Sequence, residues 1–178
     1  MLAMEMMAYL LAAASGISGL PPPLVDELPP VVAMAPEALR AQACSMKQEQ
    51  CRGIVALFDA DNGRILVSDA LDLSDPADNS FLVHELVHVL EYRYRGGRGP
   101  EGCRETLRSE RFAYRVQNAY LRREGRAERF GSNIMALGCA PDQPGDSTIR
   151  LERGFNRVNE EAVLQDFLEE RRRGRAAP

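Results

Sequence analysis

The stretch Phe81-Leu82-Val83-His84-Glu85-Leu86-Val87-His88-Val89-Leu90 sets a His-Glu-x-x-His pattern inside an apolar run that reads as a helix. Residues four apart share one side of a helix, so both imidazoles can reach a single metal ion. Glu85 lies close enough in angle to reach a water on that metal, where a carboxylate serves as general base. A second reading makes the pair two core histidines with hydrogen-bonded rings. His84 and His88 are the only histidines in the chain, and both fall in this one pattern. That favours the metal.

A catalytic zinc usually takes three protein ligands and leaves one position open. With no third histidine, the candidates are carboxylates, and the following helix, about 104–123, supplies the best one. Leu107, Glu110, Ala113, Tyr114, Gln117 and Leu121 share a face of that helix, and Glu110 is the lone carboxylate on it. An unpaired charge on an apolar face is costly, and a metal relieves that cost. Glu105 lies about 140° away around the helix and reads as solvated. Glu101 falls in a loop, and Glu91 is only three residues past His88. The sequence therefore points to His84, His88 and Glu110 as ligands of one zinc ion.

Outward from the histidine helix, 74–80 offers several N-caps, and Gly96-Gly97 stops the helix after about Tyr94. Upstream, 53–58 and 64–68 read as strands joined by the Asn62-Gly63 hairpin signal. The Asp-x-Asp-x-Gly fragment at 59–63 lacks the other calcium ligands in register and reads as a turn. A third short strand at 31–34 makes a small, three-stranded, mostly antiparallel sheet, and Pro36 opens a helix to about Ala43. Residues 1–20 are apolar, but no Lys or Arg precedes the run and Glu5 interrupts it. The stretch therefore reads as a packed helix, roughly 2–15, ended by Gly16 and Gly19, rather than a signal peptide or a membrane span. Prolines at 21–23 and 29–30 bracket a rigid connector. Downstream come a short helix within 126–135, a loop at 137–146, a last helix near 158–171, and a solvated basic tail through 178.

At 178 residues the chain reads as one α+β domain spanning 1–178, and 45% hydrophobic with 27% charged residues excludes a disordered chain. A net charge of −4 gives no case for nucleic-acid binding, and no pattern sets the oligomeric state. The four cysteines are not spaced as a zinc knuckle. An even number in loops suggests two disulfides, Cys44–Cys51 and Cys103–Cys139 among the possible pairings. That favours an extracytoplasmic protein, periplasmic or secreted, over one with four reduced thiols in the cytoplasm.

His84-Glu85-x-x-His88 followed by a glutamate on the next helix resembles the gluzincin clan of zinc metallopeptidases. More closely, 82–88 together with Glu110-Arg111-Phe112-Ala113-Tyr114 and its continuation to Leu121 resembles a bacterial domain family of unknown function classed as a candidate metallopeptidase. The resemblance spans most of the chain. It implies a minimal zincin-like fold: a small sheet above an active-site helix, and a second helix beneath it that carries Glu110. It also implies Glu85 as catalytic base. The chain departs from larger gluzincins, which often carry an aspartate four residues past the third ligand; Tyr114 stands there instead. Support for the histidines then falls to Tyr114, Gln117 or Asn118. With no further histidine to donate to an oxyanion, Tyr92, Tyr114 and Tyr120 are the candidates, each with an alternative role as packing aromatic. The expected activity is zinc-assisted hydrolysis of peptide bonds, with substrate docked along an edge strand at 64–68. The alternative is a zincin-like domain that holds metal as a binding or scaffolding module.

Overall fold

The computed structural model describes residues 4–43 and 53–139. Arg64–Ser68 forms strand β3, flanked by β1 (Val31–Met34) and β2 (Ala56–Asp59) in the order β1-β3-β2. β2 pairs antiparallel with β3, from Ala56 opposite Val67 to Asp59 opposite Arg64, while β1 pairs parallel from Val31 opposite Ile65. The sheet is mixed because only the β2–β3 pair is joined by a hairpin. A parallel pair needs a long crossover, and the path from β1 to β3 runs by way of the helix at 36–43 and β2. The hairpin turn is knitted by Asp59, whose carboxylate accepts from the Asn62 side chain (2.9 and 3.0 Å) and from Arg64 Nε (2.9 Å). Those contacts account for the aspartate without calcium.

One expectation is overturned here. Residues 64–68 are the central strand, paired on both sides, and offer no free edge to a peptide. Among the described residues the edges are β1 and β2. Strand character is legible locally, but strand order depends on which helices cover each face.

Alternation along β3 divides the core. Leu66 points to one side, against Leu39 and Ala43 of helix α2 (Pro36–Ala43), together with Ile54. Ile65 and Val67 point to the other, against helices α1 (Met4–Ser18) and α3 (Pro76–Tyr94). Packed among α1, β2 and helix α4 (Gly102–Arg123), α3 is buried on nearly all sides from Asn79 to Leu90, which is why its sequence reads apolar without a polar face. Leu82, Leu86 and Leu90 are fully buried there, each worth about 1.5–3 kcal/mol of transfer free energy. Asp75 caps α3 by accepting from Ala77 N–H at 2.8 Å, and Pro76 follows at the first turn.

α1 runs past Gly16 and ends at Gly19, whose φ of +75° suits the residue just after a helix. Gly16 has no neighbour for a side chain to meet and is simply tolerated inside the helix. Among the described residues no helix is long and apolar enough to cross a membrane. The connector at 21–30 contains one 3-10 turn, Val25–Glu27. Beyond α4, residues 126–131 are not helical and the short helix α5 covers only Ser132–Ala136. Cys103 is bonded to Cys139, tying the segment after α5 to the start of α4. Cys44 and Cys51, the last helix and the basic tail lie outside the described residues.

Candidate metal centre

α3 and α4 cross so that His84, His88 and Glu110 meet between them. His84 Nε2 and His88 Nε2 are 3.0 Å apart. Glu110 Oε2 lies 3.4 Å from the first and Glu110 Oε1 3.3 Å from the second. One ligand atom from each residue falls within 4.8 Å of the others.

The hydrogen bonds behind the rings fix what those atoms are. Ser80 Oγ donates to the Ala77 carbonyl at 2.7 Å, so it accepts from Gln117 Nε2 at 3.0 Å. That turns Gln117 Oε1 toward His84 Nδ1, 3.1 Å away, and Nδ1 must carry the proton. Around His88 the logic repeats. Ser109 Oγ donates to Glu91 Oε2, so its lone pair accepts from His88 Nδ1–H at 3.1 Å. As neutral rings, both histidines then present Nε2 lone pairs to each other and to a carboxylate. Glu110 Oε2 is buried with no hydrogen-bond partner. Three electron-rich atoms aimed at one buried point repel unless a cation sits among them. Two neutral imidazoles and a carboxylate are also the donor set zinc takes. The residues fit the ion. The triad is a candidate zinc-binding site, suited to a catalytic or a scaffolding metal.

The electrostatics show the same demand for positive charge. Burial opposes a charged Glu110, but the adjacent imidazoles, His88 foremost, hold its pKa down at about 2. With a proton in place of a metal ion, burial opposes the His88 cation, yet Glu110 outweighs it and holds the His88 pKa well above its ordinary value. Burial pushes the Glu85 carboxyl up, and the Glu110 charge adds to that rise. The two histidines and the Phe58 N–H act in the other direction. Glu85 Oε2 accepts from that N–H at 2.7 Å, whereas Oε1 is buried without a partner. A cavity of about 170 Å³ opens beside the triad, between β2 and the 95–100 segment.

The residues expected to support the histidines separate clearly. Gln117 orients His84, and the Tyr114 ring packs edge-on against His84 with centroids 4.5 Å apart. Tyr92 lines the cavity and packs on Phe58. Asn118 is elsewhere, holding both the N–H and the carbonyl of Phe130 at 2.9 Å. Tyr120 donates to Asn79 at 2.8 Å, away from the triad. Ser109 and Ser80 were not among the sequence candidates, and Glu91, set aside there as a ligand, instead supports His88 through Ser109. Glu91 carried a signal, since i+3 from His88 puts it on the same helix face.

Gly131 falls inside the short helix expected within 126–135; the structure places it at the N-cap of α5, where it is a packing requirement. Its φ is +83°, and a Cβ there would sit 2.3 Å from Tyr114 Cγ, the ring that seats His84. Gly131→Ala is expected to cost about 1–2 kcal/mol for the left-handed backbone plus about 1–3 kcal/mol for the clash. Gly125 has a φ of +71° with open space around it, so Gly125→Ala carries the backbone cost alone. Urea unfolding of both variants checks this. Equal losses would show that the Tyr114 contact is unimportant.

A family model described as Domain of unknown function (DUF6647) matches residues 18–142. No curated protein and no solved structure matches the chain. The matched segment contains the whole sheet and both ligand-bearing helices, and its His84-Glu85, His88 and Glu110 form a gluzincin-like HExxH...E arrangement. The chain belongs to the DUF6647 family.

Proposed function

We propose that this protein is a zinc-dependent hydrolase of peptide bonds with Glu85 as its general base. The observation that carries the reading is the Glu85 carboxylate: Phe58 N–H fixes one oxygen, and the other is buried without a partner beside the triad. A purely structural site has no use for such a group. His84, His88 and Glu110 would hold the ion, which when bound supplies Lewis acidity toward water and a carbonyl. Glu85 Oε1 then takes the proton of the attacking water and passes it to the departing nitrogen. Ser109 and Gln117 keep both Nδ1 protons in place, so both Nε2 atoms stay available as ligands. Among the tyrosines, Tyr92 alone lines the cavity and is the candidate donor to an oxyanion.

The substrate would lie along β2. The Val55 carbonyl accepts from Ser68 N–H at 2.8 Å, so by alternation the N–H and carbonyl groups of residues 56 and 58 point away from β3. Those edge groups can pair with an extended peptide, although the Phe58 N–H already serves Glu85. The Cys103–Cys139 disulfide supports an extracytoplasmic location.

Zinc-loaded protein is expected to cleave members of a broad peptide library, to lose that activity on chelation and to regain it when zinc is restored. Full zinc occupancy with no cleavage anywhere in the library would leave a metal-binding scaffold as the function.

A further inference from the structure

The cavity beside the triad has a chemistry of its own. Ile54, Ala56, Leu57, Phe58 and Pro100 give it apolar walls. Its volume of about 170 Å³ is close to the roughly 150 Å³ of an apolar cavity that binds benzene, which is phenyl or isobutyl size. Its polar lining is largely committed. Thr106 Oγ1 donates to the Gly102 carbonyl, and Ser109 and Glu91 are bound to each other and to His88.

The cationic lining divides in two. Arg95 Nη1 pairs with Glu105 at 3.0 Å and is neutralised. Arg98 is exposed, and its Nε donates only to the Arg95 carbonyl at 3.3 Å. Among the described residues Arg98 pairs with no carboxylate. Its guanidinium therefore keeps unpaired N–H groups at the wall of a cavity that is mostly apolar apart from the committed polar groups and the catalytic centre, the chemistry that recognises a carboxylate.

We infer that this cavity selects peptides with a large apolar side chain, Leu, Phe or Met, next to the scissile bond, and that Arg98 pairs with a carboxylate on the same peptide. The inference rests on the reading of the site as a peptide hydrolase and adds the substrate class to it. The carboxylate comes either from an acidic side chain or from a free C-terminus, and peptides can tell the two apart.

The probes are fluorescein-labelled peptides of sequence Ala-Ala-X-Z-Ala-amide, with X as Gly, Leu or Phe and Z as Glu or Lys. Ala-Ala-Leu-Ala is added as free acid and as amide. Binding is followed by anisotropy on full-length zinc-loaded Glu85→Gln protein, which holds substrate without turnover, and cleavage is followed on the unmodified protein. Leu and Phe peptides are expected to bind at least about tenfold more tightly than Gly peptides. Arg98→Glu, made in both backgrounds, is expected to shift the Glu-to-Lys ratio, or the free-acid-to-amide ratio, by about fivefold or more toward the uncharged or basic member. The pair that responds identifies the source of the carboxylate.

Equal affinity for Gly and Phe peptides, a charge preference that Arg98→Glu leaves unmoved, or no binding at all would overturn the inference. Selective binding without cleavage by the unmodified protein would sink the hydrolase reading while leaving the cavity's preference for apolar side chains and the Arg98 pairing standing. Cleavage without selectivity would do the reverse.

Discussion

Glu85→Gln is expected to lower peptide hydrolysis by about a thousandfold, within the range that a general base contributes. The replacement is nearly isosteric, and its amide oxygen can still accept from Phe58 N–H, so the side chain stays seated. It removes the capacity of the free oxygen to take a proton and little else. Zinc content should be unchanged, because Glu85 is not among the three residues whose ligand atoms converge. Kinetics and metal analysis on the same sample separate loss of the base from loss of the ion. Activity within about tenfold of the unmodified protein would place the base elsewhere.

The second large effect falls on the metal. Glu110→Ala removes the carboxylate that lies 3.4 and 3.3 Å from the two Nε2 atoms. Supporting residues around a metal typically change affinity about 10–100-fold when lost, so removal of a ligand should exceed about 100-fold. The remaining pair of buried imidazole lone pairs makes a poor site, since zinc prefers four ligands and would have only two from the protein. Competition with a chromogenic chelator measures the change. Affinity within about threefold of the unmodified protein would remove Glu110 from the ligand set.

Much of this centre could be read in advance because helices report their faces locally. The spacing of His84 and His88, the lone carboxylate at Glu110, and Gln117 one heptad further on all follow from the 3.6-residue period. What the period cannot give is how two helices cross. Ser109 is adjacent to Glu110 and looks like any small polar residue until α4 is laid against α3, which brings it between His88 and Glu91. Asn118 shows the opposite error: one residue beyond Gln117, it turns to the 130 loop instead of the histidines.

The sheet teaches the same lesson on a longer scale. Alternation and the Asn62-Gly63 turn located the strands, but β1 could join either side of the hairpin. It lies beside β3, leaving β2 as the edge over the triad. The contact that seats Glu85 comes from a backbone N–H, which carries no side-chain signal in a sequence. Gly131 was equally silent. A glycine has many reasons to be where it is, and only the Tyr114 ring beneath it shows which one applies.

Metal analysis of the purified full-length protein after exposure to zinc and removal of the excess tests the central claim most directly. About one zinc ion per chain is expected, held by His84, His88 and Glu110. Less than about 0.1 equivalent under those conditions would contradict it, and would leave His84 and His88 as core histidines.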